Sequence, residues 1–392
     1  MKKAFSIGLP AIIVLILFLI LLRFVILPDE SISQAKIDKA KKSIAMEKGN
    51  FIDFLRKAKK ENRKYTFINI KGEQILPDDF AKELDWRFKE GLLGFCSKED
   101  KWGFIDKTGA VVIKPEFDQI RNFSEGYAKV KLNGKWGYID KSGKIVIEPQ
   151  FDNAGEFHEG MAQVKINNAW GYIDKSGEII IKPTFTYAAG NFSEGLAVAN
   201  DGDKFGFIDK TGKWIITPNF DLAGGAGDFH EGLCDFSIPF KGWGYFDKTG
   251  KAVIKPIFEE AGLFVSGLAR VKINKKLGFI DKQGEIVIEA KYADAGHFSE
   301  GLASVRLEPN GKWGYIDETG KLIIDYIFET YDFLENPGDF KEGKARVKIG
   351  KNWGFINKKG ETVISPRYKS TYDFSEGYAV VSLWMDQKDE KK

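Results

Sequence analysis

The sequence predicts an all-β protein, a tandem array of about nine three-stranded antiparallel β-meander repeats of 34–40 residues each. Three observations predict this fold. A Trp-Gly-aromatic phrase returns at nearly constant spacing, short runs of alternating apolar residues surround it, and turn sequences separate the runs. A fixed period of this length is typical of repeat architectures. Ahead of the array, the sequence predicts one transmembrane helix and a short helical stalk.

Residues 1–30 predict a membrane anchor. After two lysines, residues 4–22 contain no charged side chain, and the apolar run continues to residue 27 with Arg23 as its one interruption. Nineteen helical residues extend about 28 Å, which matches the hydrocarbon core of a bilayer. No small-residue cleavage site follows, so we expect an uncleaved single-pass anchor through residues 4–27. Basic residues flank it on both sides, and acidic residues follow directly, which favours repeats outside the cytoplasm.

Residues 31–64 lie between the anchor and the array. They lack proline, and Ile37, Ile44, Phe51 and Leu55 recur at the spacing of a helix face. This pattern predicts a helical stalk. A solvated, charged linker is the alternative that the same composition allows.

One repeat can be followed from residue 161 to residue 183. The run MAQVKI alternates as a first strand, and Asn167-Asn168 predicts a tight hairpin, as do Asn133-Gly134 and Asn310-Gly311 in other repeats. The second strand is WGYID. A three-residue hairpin with a glycine bulge then leads to the third strand, EIIIKP, which we expect the proline to end.

The third strand is apolar on both of its sides, which predicts a sheet covered on both faces by neighbouring repeats. Trp136 is then expected to lie buried between two meanders. Gly137 beside it is expected to be left bare so that a neighbouring chain can approach closely.

The array spans residues 65–384, and a charged tail, residues 385–392, follows it. A Phe-x-Glu-Gly connector joins the units, with a glycine that we expect at positive φ. The array opens at Tyr65 with the second strand of a unit and closes near Trp384 with a first strand. Its two ends can therefore share one meander and close a propeller-like ring. An open superhelix with two caps fits the same strands, and the sequence leaves both possible.

The phrases K-W-G-[FY]-I-D-K-[TS]-G and F-S-E-G-x-A resemble the WG-containing repeat family of bacteria, also called KWG repeats. The resemblance covers residues 65–384. It implies a bacterial origin, tandem β repeats and frequent fusion to secretion signals or membrane anchors. It implies no general enzymatic activity and no catalytic motif. Phe205 and Leu277 stand in the tryptophan position and Asn357 stands in the aspartate position, which are departures of single units.

Candidate chemical groups have structural explanations in this sequence. The repeated aspartates, such as Asp140, begin hairpin turns, where aspartate bonds its own backbone. The three histidines show no metal-ligand spacing, and we expect them in exposed loops. Asn200-Asp201-Gly202-Asp203 is too short for a calcium loop and predicts a turn. Cys96 and Cys234 are expected to be partly buried thiols that act as small apolar side chains. We therefore expect no catalytic residue, cofactor or metal, and the balanced net charge of +3 predicts no nucleic-acid partner.

The longest connector predicts a binding surface. Its residues Tyr326, Tyr331, Phe333 and Leu334 exceed what the repeat core requires, although local packing of a longer loop is the competing interpretation. We expect a non-catalytic scaffold at a bacterial membrane that recognises a protein or a glycan of the cell envelope. The alternative is an envelope hydrolase whose site is assembled from the longer connectors.

Overall fold

The computed structural model describes residues 64–77, 80–187, 190–202, 204–221, 227–238, 240–329 and 336–383. The chain divides between Asn62 and Arg63, and all the described residues lie in the second part. The predicted anchor, the stalk up to residue 63 and the charged tail lie outside these ranges. Within them, none of the elements is a helix of the length and apolarity that crossing a bilayer requires.

The described part of the chain forms 32 β-strands. The first thirteen are β1 (Lys64–Asn69), β2 (Glu83–Leu84), β3 (Leu92–Cys96), β4 (Trp102–Asp106), β5 (Val111–Phe117), β6 (Gln119–Ser124), β7 (Tyr127–Leu132), β8 (Lys135–Ile139), β9 (Ile145–Phe151), β10 (Asn153–Ala154), β11 (Met161–Ile166), β12 (Ala169–Asp174) and β13 (Ile179–Phe185). The next ten are β14 (Ala197–Asp201), β15 (Lys204–Ile208), β16 (Trp214–Asp221), β17 (Leu233–Ile238), β18 (Gly242–Asp247), β19 (Ala252–Phe258), β20 (Glu260–Val265), β21 (Leu268–Ile273), β22 (Lys276–Ile280) and β23 (Ile286–Tyr292). The last nine are β24 (Asp294–Ala295), β25 (Leu302–Arg306), β26 (Trp313–Asp317), β27 (Leu322–Phe328), β28 (Lys344–Ile349), β29 (Asn352–Asn357), β30 (Thr362–Tyr368), β31 (Ser370–Thr371) and β32 (Tyr378–Leu383).

These strands form nine antiparallel sheets, the blades of a propeller. In chain order, blade 1 holds β2–β5, blade 2 holds β6–β9, blade 3 holds β10–β13, blade 4 holds β14–β16, blade 5 holds β17–β19, blade 6 holds β20–β23, blade 7 holds β24–β27 and blade 8 holds β28–β30. Blade 9 combines β31 and β32 with β1 from the other end of the array. The predicted three-stranded meander is present in blades 1 to 8, whereas in blade 9 its third strand is reduced to a single bridge between Ile68 and Gln74. In five blades the connector adds a fourth strand that the sequence analysis did not predict, and in blade 9 the connector strand β31 is the third strand of the sheet.

The ring is closed by backbone pairing between the two ends of the array. β1 pairs with β32 over six residues, from Lys64 opposite Leu383 to Asn69 opposite Tyr378. Blade 9 is therefore built from the two ends of the array, which lie more than three hundred residues apart in sequence. Of the two arrangements that the sequence allowed, the closed ring is the one observed. We call the junction of blade 9 with blade 1 the seam.

The core is divided into clusters that lie between blades. Nine clusters of buried apolar side chains occur in the described residues, and each joins two consecutive blades. At the seam, Phe67 and Val380 of blade 9 pack with Phe88 and Phe95 of blade 1. Burial of one large apolar side chain contributes about 1.5–3 kcal/mol, so these clusters are the main stabilising term of the ring.

Trp136 lies between two blades, as predicted. Only 7% of it is exposed, and it packs with Phe157 and Val164 of the next blade. The Lys129 and Lys131 ammonium groups lie 5.0 and 5.8 Å from the centre of its ring. The tryptophan of the motif is therefore a core residue at a blade interface.

The glycine of the motif admits a close backbone approach, as predicted, and the approaching backbone belongs to its own blade. A Cβ atom at Gly137 would lie 2.5 Å from the carbonyl oxygen of Ile147 and 2.6 Å from the nitrogen of Pro149, both in the third strand of the same blade. The pairing shifts here, since Trp136 faces Phe151 whereas Tyr138 faces Ile147. The third strand thus bulges over the glycine. The Trp-Gly pair thus has two roles. The tryptophan fills the interface between blades, and the glycine leaves room for the backbone of the third strand.

Two predictions about the third strand were wrong. The proline does not end it, since β13 continues past Pro183 to Phe185, and the bulge accommodates a residue that lacks an N–H. The strand is also not covered on both faces. It lies at the edge of its sheet, and Ile179 and Ile180 are 44% and 40% exposed. An apolar pair at this edge position recurs in most blades, so the apolar run does not indicate burial on both sides.

The turn predictions are largely confirmed. Asn133 and Gly134 have φ values of 51° and 81°, as a type I′ hairpin requires. The connector glycines have positive φ, and so do the glutamates before them, for example Glu125 at 53°. Asn310-Gly311 is the exception. Neither has positive φ, because two additional residues make a longer loop in which Gly311 N–H bonds Glu308 O at 2.8 Å.

We expect Gly137→Ala to destabilise the ring by about 1–3 kcal/mol, because the new methyl group overlaps the backbone of the third strand. Denaturant unfolding monitored by circular dichroism measures this. Gly311→Ala is the matched control, since its Cβ would come no closer than 3.1 Å to a neighbour and its φ is not positive. Equal effects of the two substitutions would show that the third strand does not cross Gly137 closely.

The connector glutamates form a belt of hydrogen bonds from blade to blade. The Glu90 carboxylate accepts from Gly126 N–H, and Glu376 accepts from Gly91 N–H across the seam at 2.8 Å. The N–H of the glycine in the next connector donates in the same way to the carboxylates of Glu125, Glu159, Glu194, Glu231, Glu300 and Glu342. Lysines of the Asp-Lys turns join most of these carboxylates, as in the pair of Lys141 with Glu90 at 3.0 Å. The belt therefore ties each Phe-x-Glu-Gly turn to the next.

The belt has one paired exception in blade 6. Ser266 stands in the glutamate position of this connector, and Glu318 stands where the partner lysine is found in other turns. Both members of the ion pair are thus replaced together. The replacement is not paired everywhere, since Ile70 stands in the lysine position of blade 9 while Glu342 is kept in the connector of blade 8 and accepts from Gly377 N–H at 2.8 Å.

The stability of the ring is expected to fall in acid. The hydrogen bond from Thr108 lowers the pKa of Asp106, and the equivalent bond from Ser142 lowers the pKa of Asp140. Burial alone would raise the pKa of Glu125, but bonds from Gly160 N–H and Lys175 outweigh it and lower the pKa. A carboxylate with a lowered folded pKa stabilises above its unfolded value, 3.8 for Asp and 4.5 for Glu, and this contribution is lost as pH falls through the folded value.

We therefore expect the denaturant midpoint to fall steadily below about pH 4, as these carboxylates take up protons. Asn357 supplies the control, because it makes the same turn bonds to Lys359 N–H and Glu361 N–H without a charge. Asp140→Asn should keep the turn and remove its share of the acid sensitivity. A midpoint that does not change between pH 7 and pH 3 would contradict the role of these carboxylates.

Candidate functional site

The predicted binding residues of the long connector are described only in part. Tyr326 lies in β27, where it is half-buried and packs against the cluster between blades 6 and 7, and burial raises the pKa of its hydroxyl. Tyr331, Phe333 and Leu334 lie outside the described residues. The role of this connector in binding stays a prediction.

A cleft of about 470 Å³ lies at the seam. Connectors of three successive blades line it, with Lys341 from blade 8, residues 372–375 from blade 9, and Trp86, Arg87 and Lys89 from blade 1. Its volume is within the range of ligand sites, about 300–1,000 Å³. Half of the Trp86 surface and 42% of the Tyr372 surface are exposed. The cleft therefore presents two aromatic side chains to solvent.

The phenylalanines of the connectors hold this cleft in place. Phe88 and Phe374 are buried, in the clusters on the two sides of blade 9. The Ser375 hydroxyl donates to Phe88 O at 2.8 Å and so links the two connectors across the seam. Because each phenylalanine is fixed in the core, the residues beside it in sequence, Arg87, Lys89 and Ser375, are placed at the cleft.

The charge of the cleft is positive. Arg87 and Lys341 are exposed and Lys89 is half-buried, and none of the three forms an ion pair with another residue of the described ranges. Asp373 is the one carboxylate of the lining, and it accepts a hydrogen bond from Arg346 Nε at 2.9 Å. Asp85 and Asp339, outside the lining, interact electrostatically with Arg87 and Lys341, but none of the three cations is held in an ion pair, whereas the carboxylate of the lining is.

A second group of polar side chains lies in blade 5 and its neighbours. Burial raises the pKa of Asp228 and of Asp235, and Asp235 is 9% exposed with an Oδ1 atom that has no hydrogen-bond partner. His158 and His230 lie near Asp228 and partly offset the effect of burial on its pKa. Burial also raises the pKa of the Cys234 thiol, so this cysteine is protonated at neutral pH. Among the described residues, no group of three or more His, Cys, Asp and Glu side chains has the arrangement of a metal site.

The remaining sequence-predicted groups have the roles assigned to them, with one correction. Asp140 Oδ1 accepts from Ser142 N–H at 2.9 Å and from Lys144 N–H at 3.1 Å, which is the expected turn function. Cys96 and Cys234 are buried thiols. The histidines are half-buried rather than exposed, since each adjoins a core phenylalanine of a connector, and burial lowers the pKa of His297.

The sequence matches the family model described as WG containing repeat in eight consecutive copies. They cover residues 102–136, 136–168, 170–205, 205–238, 243–276, 278–313, 313–353 and 353–383. The chain belongs to the WG-containing repeat family. No curated protein matches it. Trp86, Arg87 and Lys89 precede the first matched WG repeat.

Several solved structures resemble the WG-repeat ring. One described as a eukaryotic initiation factor has a TM-score of 0.53 and 11% identity, covering 77% of this chain and 95% of that one. BamB from Moraxella catarrhalis has a TM-score of 0.43 and 10% identity, covering 83% and 98%. The computationally designed Ika8 protein has a TM-score of 0.42 and 10% identity, covering 77% and 95%. At these identities the likeness to the initiation factor shows a shared fold alone.

Sequence reasoning missed the seam cleft, although two departures from the WG repeat mark it. Tyr372 occupies the connector position where Gly155, Gly190 and Gly296 stand in other repeats. Lys89 and Lys341 occupy the position of serine or histidine in most Phe-x-Glu-Gly connectors. The three blades become neighbours only through closure of the ring, which the sequence left undecided. The departures therefore looked like isolated variation.

Proposed function

We propose that this WG-repeat protein is a non-catalytic binding scaffold, anchored in a bacterial membrane through residues 4–27 with its repeats outside the cytoplasm. Its ring recognises a component of the cell envelope through the repeat connectors. The observation that carries this proposal is the seam cleft, where exposed Trp86 and Tyr372 lie beside cations that have no ion-pair partner among the described residues. Exposed aromatic and arginine side chains are the residue types that dominate binding surfaces.

The hydrolase alternative draws no support from this cleft. Acid–base hydrolysis of a glycan or peptide needs a pair of carboxylates or an equivalent base and acid at the reacting bond. The single carboxylate of the lining, Asp373, is held by Arg346 at 2.9 Å. Binding is the activity that the lining residues favour.

Affinity capture tests the scaffold function. The full chain, extracted in mild detergent and immobilised, is incubated with envelope extract, and the retained protein and carbohydrate are quantified. We expect retention by the native chain and its loss in the double variant Trp86→Ala/Tyr372→Ala. The control is Ile70→Ala/Tyr187→Ala, which removes exposed apolar side chains that do not line the cleft. A folded native chain that retains nothing would contradict the proposal.

Membrane attachment is tested separately by cell fractionation and protease protection. We expect the full chain in the membrane fraction and a chain lacking residues 1–30 in the soluble fraction. Protease added to spheroplasts should degrade the repeats from outside. Protection of the repeats until the cells are lysed would contradict the proposed orientation.

A further inference from the structure

We propose that the seam cleft binds a short stretch of an anionic glycan, a chain of sugars that carry carboxylate or phosphate groups. This inference rests on the proposed scaffold function and names the ligand class of the same site. Anion recognition follows from the Arg87, Lys89 and Lys341 side chains of the lining. Recognition of sugar follows from the exposed rings of Trp86 and Tyr372.

The charged side chains of the cleft determine the sign of the ligand's charge. Among the described residues, Arg87, Lys89 and Lys341 form no ion pair, although the charges of Asp85 and Asp339 act on Arg87 and Lys341. Other lysines in the same ring are paired directly, for example Lys107 with Glu376 at 3.1 Å. A guanidinium group binds carboxylate and phosphate with two parallel hydrogen bonds, and an ammonium group binds them as a point charge. An anionic ligand is therefore favoured over a neutral or a cationic one.

The aromatic side chains set the kind of ligand. An exposed tryptophan or tyrosine offers a flat apolar face and a polar edge, which suits a sugar ring that has an apolar face and hydroxyl groups at its rim. Apart from these two rings, the lining is polar or charged, except for Phe374, which is 3% exposed. An acidic peptide bound through apolar anchors would need buried apolar pockets, and the lining offers none. The volume of about 470 Å³ suits a few sugar residues.

The repeat itself shows that these residues are additions to the core. The position between phenylalanine and glutamate in Phe-x-Glu-Gly is filled by Ser124, Ser193, Ser299 and Ser375 in four connectors, and by lysine in the two that flank Ser375 in the ring. Serine is thus compatible with the fold at this position, where its hydroxyl donates to the next connector, as Ser193 does to Phe229 O. The lysines at positions 89 and 341 are not required for folding.

Titration calorimetry with the detergent-solubilised full chain tests the inference. The probes are a galacturonic acid oligosaccharide and a phosphorylated dextran, each compared with its uncharged parent. We expect at least one charged sugar to bind, with an affinity that falls as salt is added. Lys89→Ser/Lys341→Ser and Trp86→Ala should each weaken this binding by about tenfold or more. His158→Ser/His230→Ser is the matched control, since it makes the same kind of change in blades 3 and 5, and it should bind as the native chain does.

Three results would overturn the inference. They are equal binding of the uncharged sugars, equal binding of a polyglutamate peptide, and binding of neither charged sugar by the folded chain. The scaffold function is decided independently by the capture from envelope extract. Retention that depends on Trp86, together with no binding of either charged sugar, would refute the glycan and keep the scaffold.

Discussion

Ending the chain at Gly377 is expected to unfold the whole ring, not to remove one strand from it. The deletion takes away β32, which is the backbone partner of β1 and supplies Val380 and Val381 to the clusters on the two sides of blade 9. Burial of these two valines alone contributes about 3–6 kcal/mol, and a folded domain is stable by only about 5–15 kcal/mol. Loss of the strand therefore removes a large share of the net stability.

Circular dichroism and thermal unfolding of the shortened chain measure this effect. A chain that ends at Leu383 retains β32 whole and is the control for removal of the charged tail. We expect cooperative unfolding in the control and little residual β structure in the chain that ends at Gly377. A shortened chain that unfolds at nearly the same temperature as the control would show that the pairing of β1 with β32 does not stabilise the ring.

Trp136→Ala is expected to cost about 3–5 kcal/mol, because it truncates a side chain that fills the interface of blades 2 and 3. The effect on distant blades distinguishes a ring from an open stack. In an open array, repeats couple mainly to their neighbours, so loosening would be confined to nearby units. In the closed ring every blade has two neighbours, and opening one interface releases the constraint on all of them.

Hydrogen exchange measured by mass spectrometry resolves these cases. We expect Trp136→Ala to reduce protection in all nine blades, including residues 310–380. Protection lost only around residues 100–185 would indicate locally coupled units. Unchanged protection everywhere would mean that Trp136 does not carry the interface, in conflict with its 7% exposure.

The local structure of the ring was predictable because the same turn and strand patterns recur in every repeat. Turn residues such as Asn133-Gly134 and Asp140 obey short-range rules, since their conformations depend on the residue itself and on the next few positions. Burial of Trp136 followed from the same repetition. The bulge at Pro183 was not predictable in this way, because a proline at a sheet edge and a proline at a strand end look alike in sequence.

The site was harder to predict than the fold for a geometric reason. Trp86 and Tyr372 are 286 residues apart in sequence and lie in one cleft only because β1 pairs with β32. Short-range sequence patterns give no information about such a pairing. They are compatible with a closed ring and with an open superhelix. The insertion in the longest connector, at Tyr326, is by contrast visible in the sequence without knowledge of the topology.

An engineered disulfide across the β1–β32 ladder tests closure of the ring. Asn69 and Tyr378 face each other at the end of the β1–β32 ladder, and both are half-buried. Residues opposite each other in an antiparallel pair have Cα atoms about 4.5–5.5 Å apart, within the range that a disulfide spans. The matched control replaces Asn69 and Tyr127, because Tyr127 has the same place in blade 2 that Tyr378 has in blade 9.

The measurement is the yield of the 69–378 disulfide under mild oxidation of the folded chain, read by peptide mass spectrometry and by mobility on a non-reducing gel. The native chain shows the background from Cys96 and Cys234, which are buried. Closure predicts near-complete bond formation for Asn69→Cys/Tyr378→Cys and none above background for Asn69→Cys/Tyr127→Cys. A folded 69/378 variant whose cysteines stay reduced, or react no more than those of the control, would contradict the closed nine-bladed ring.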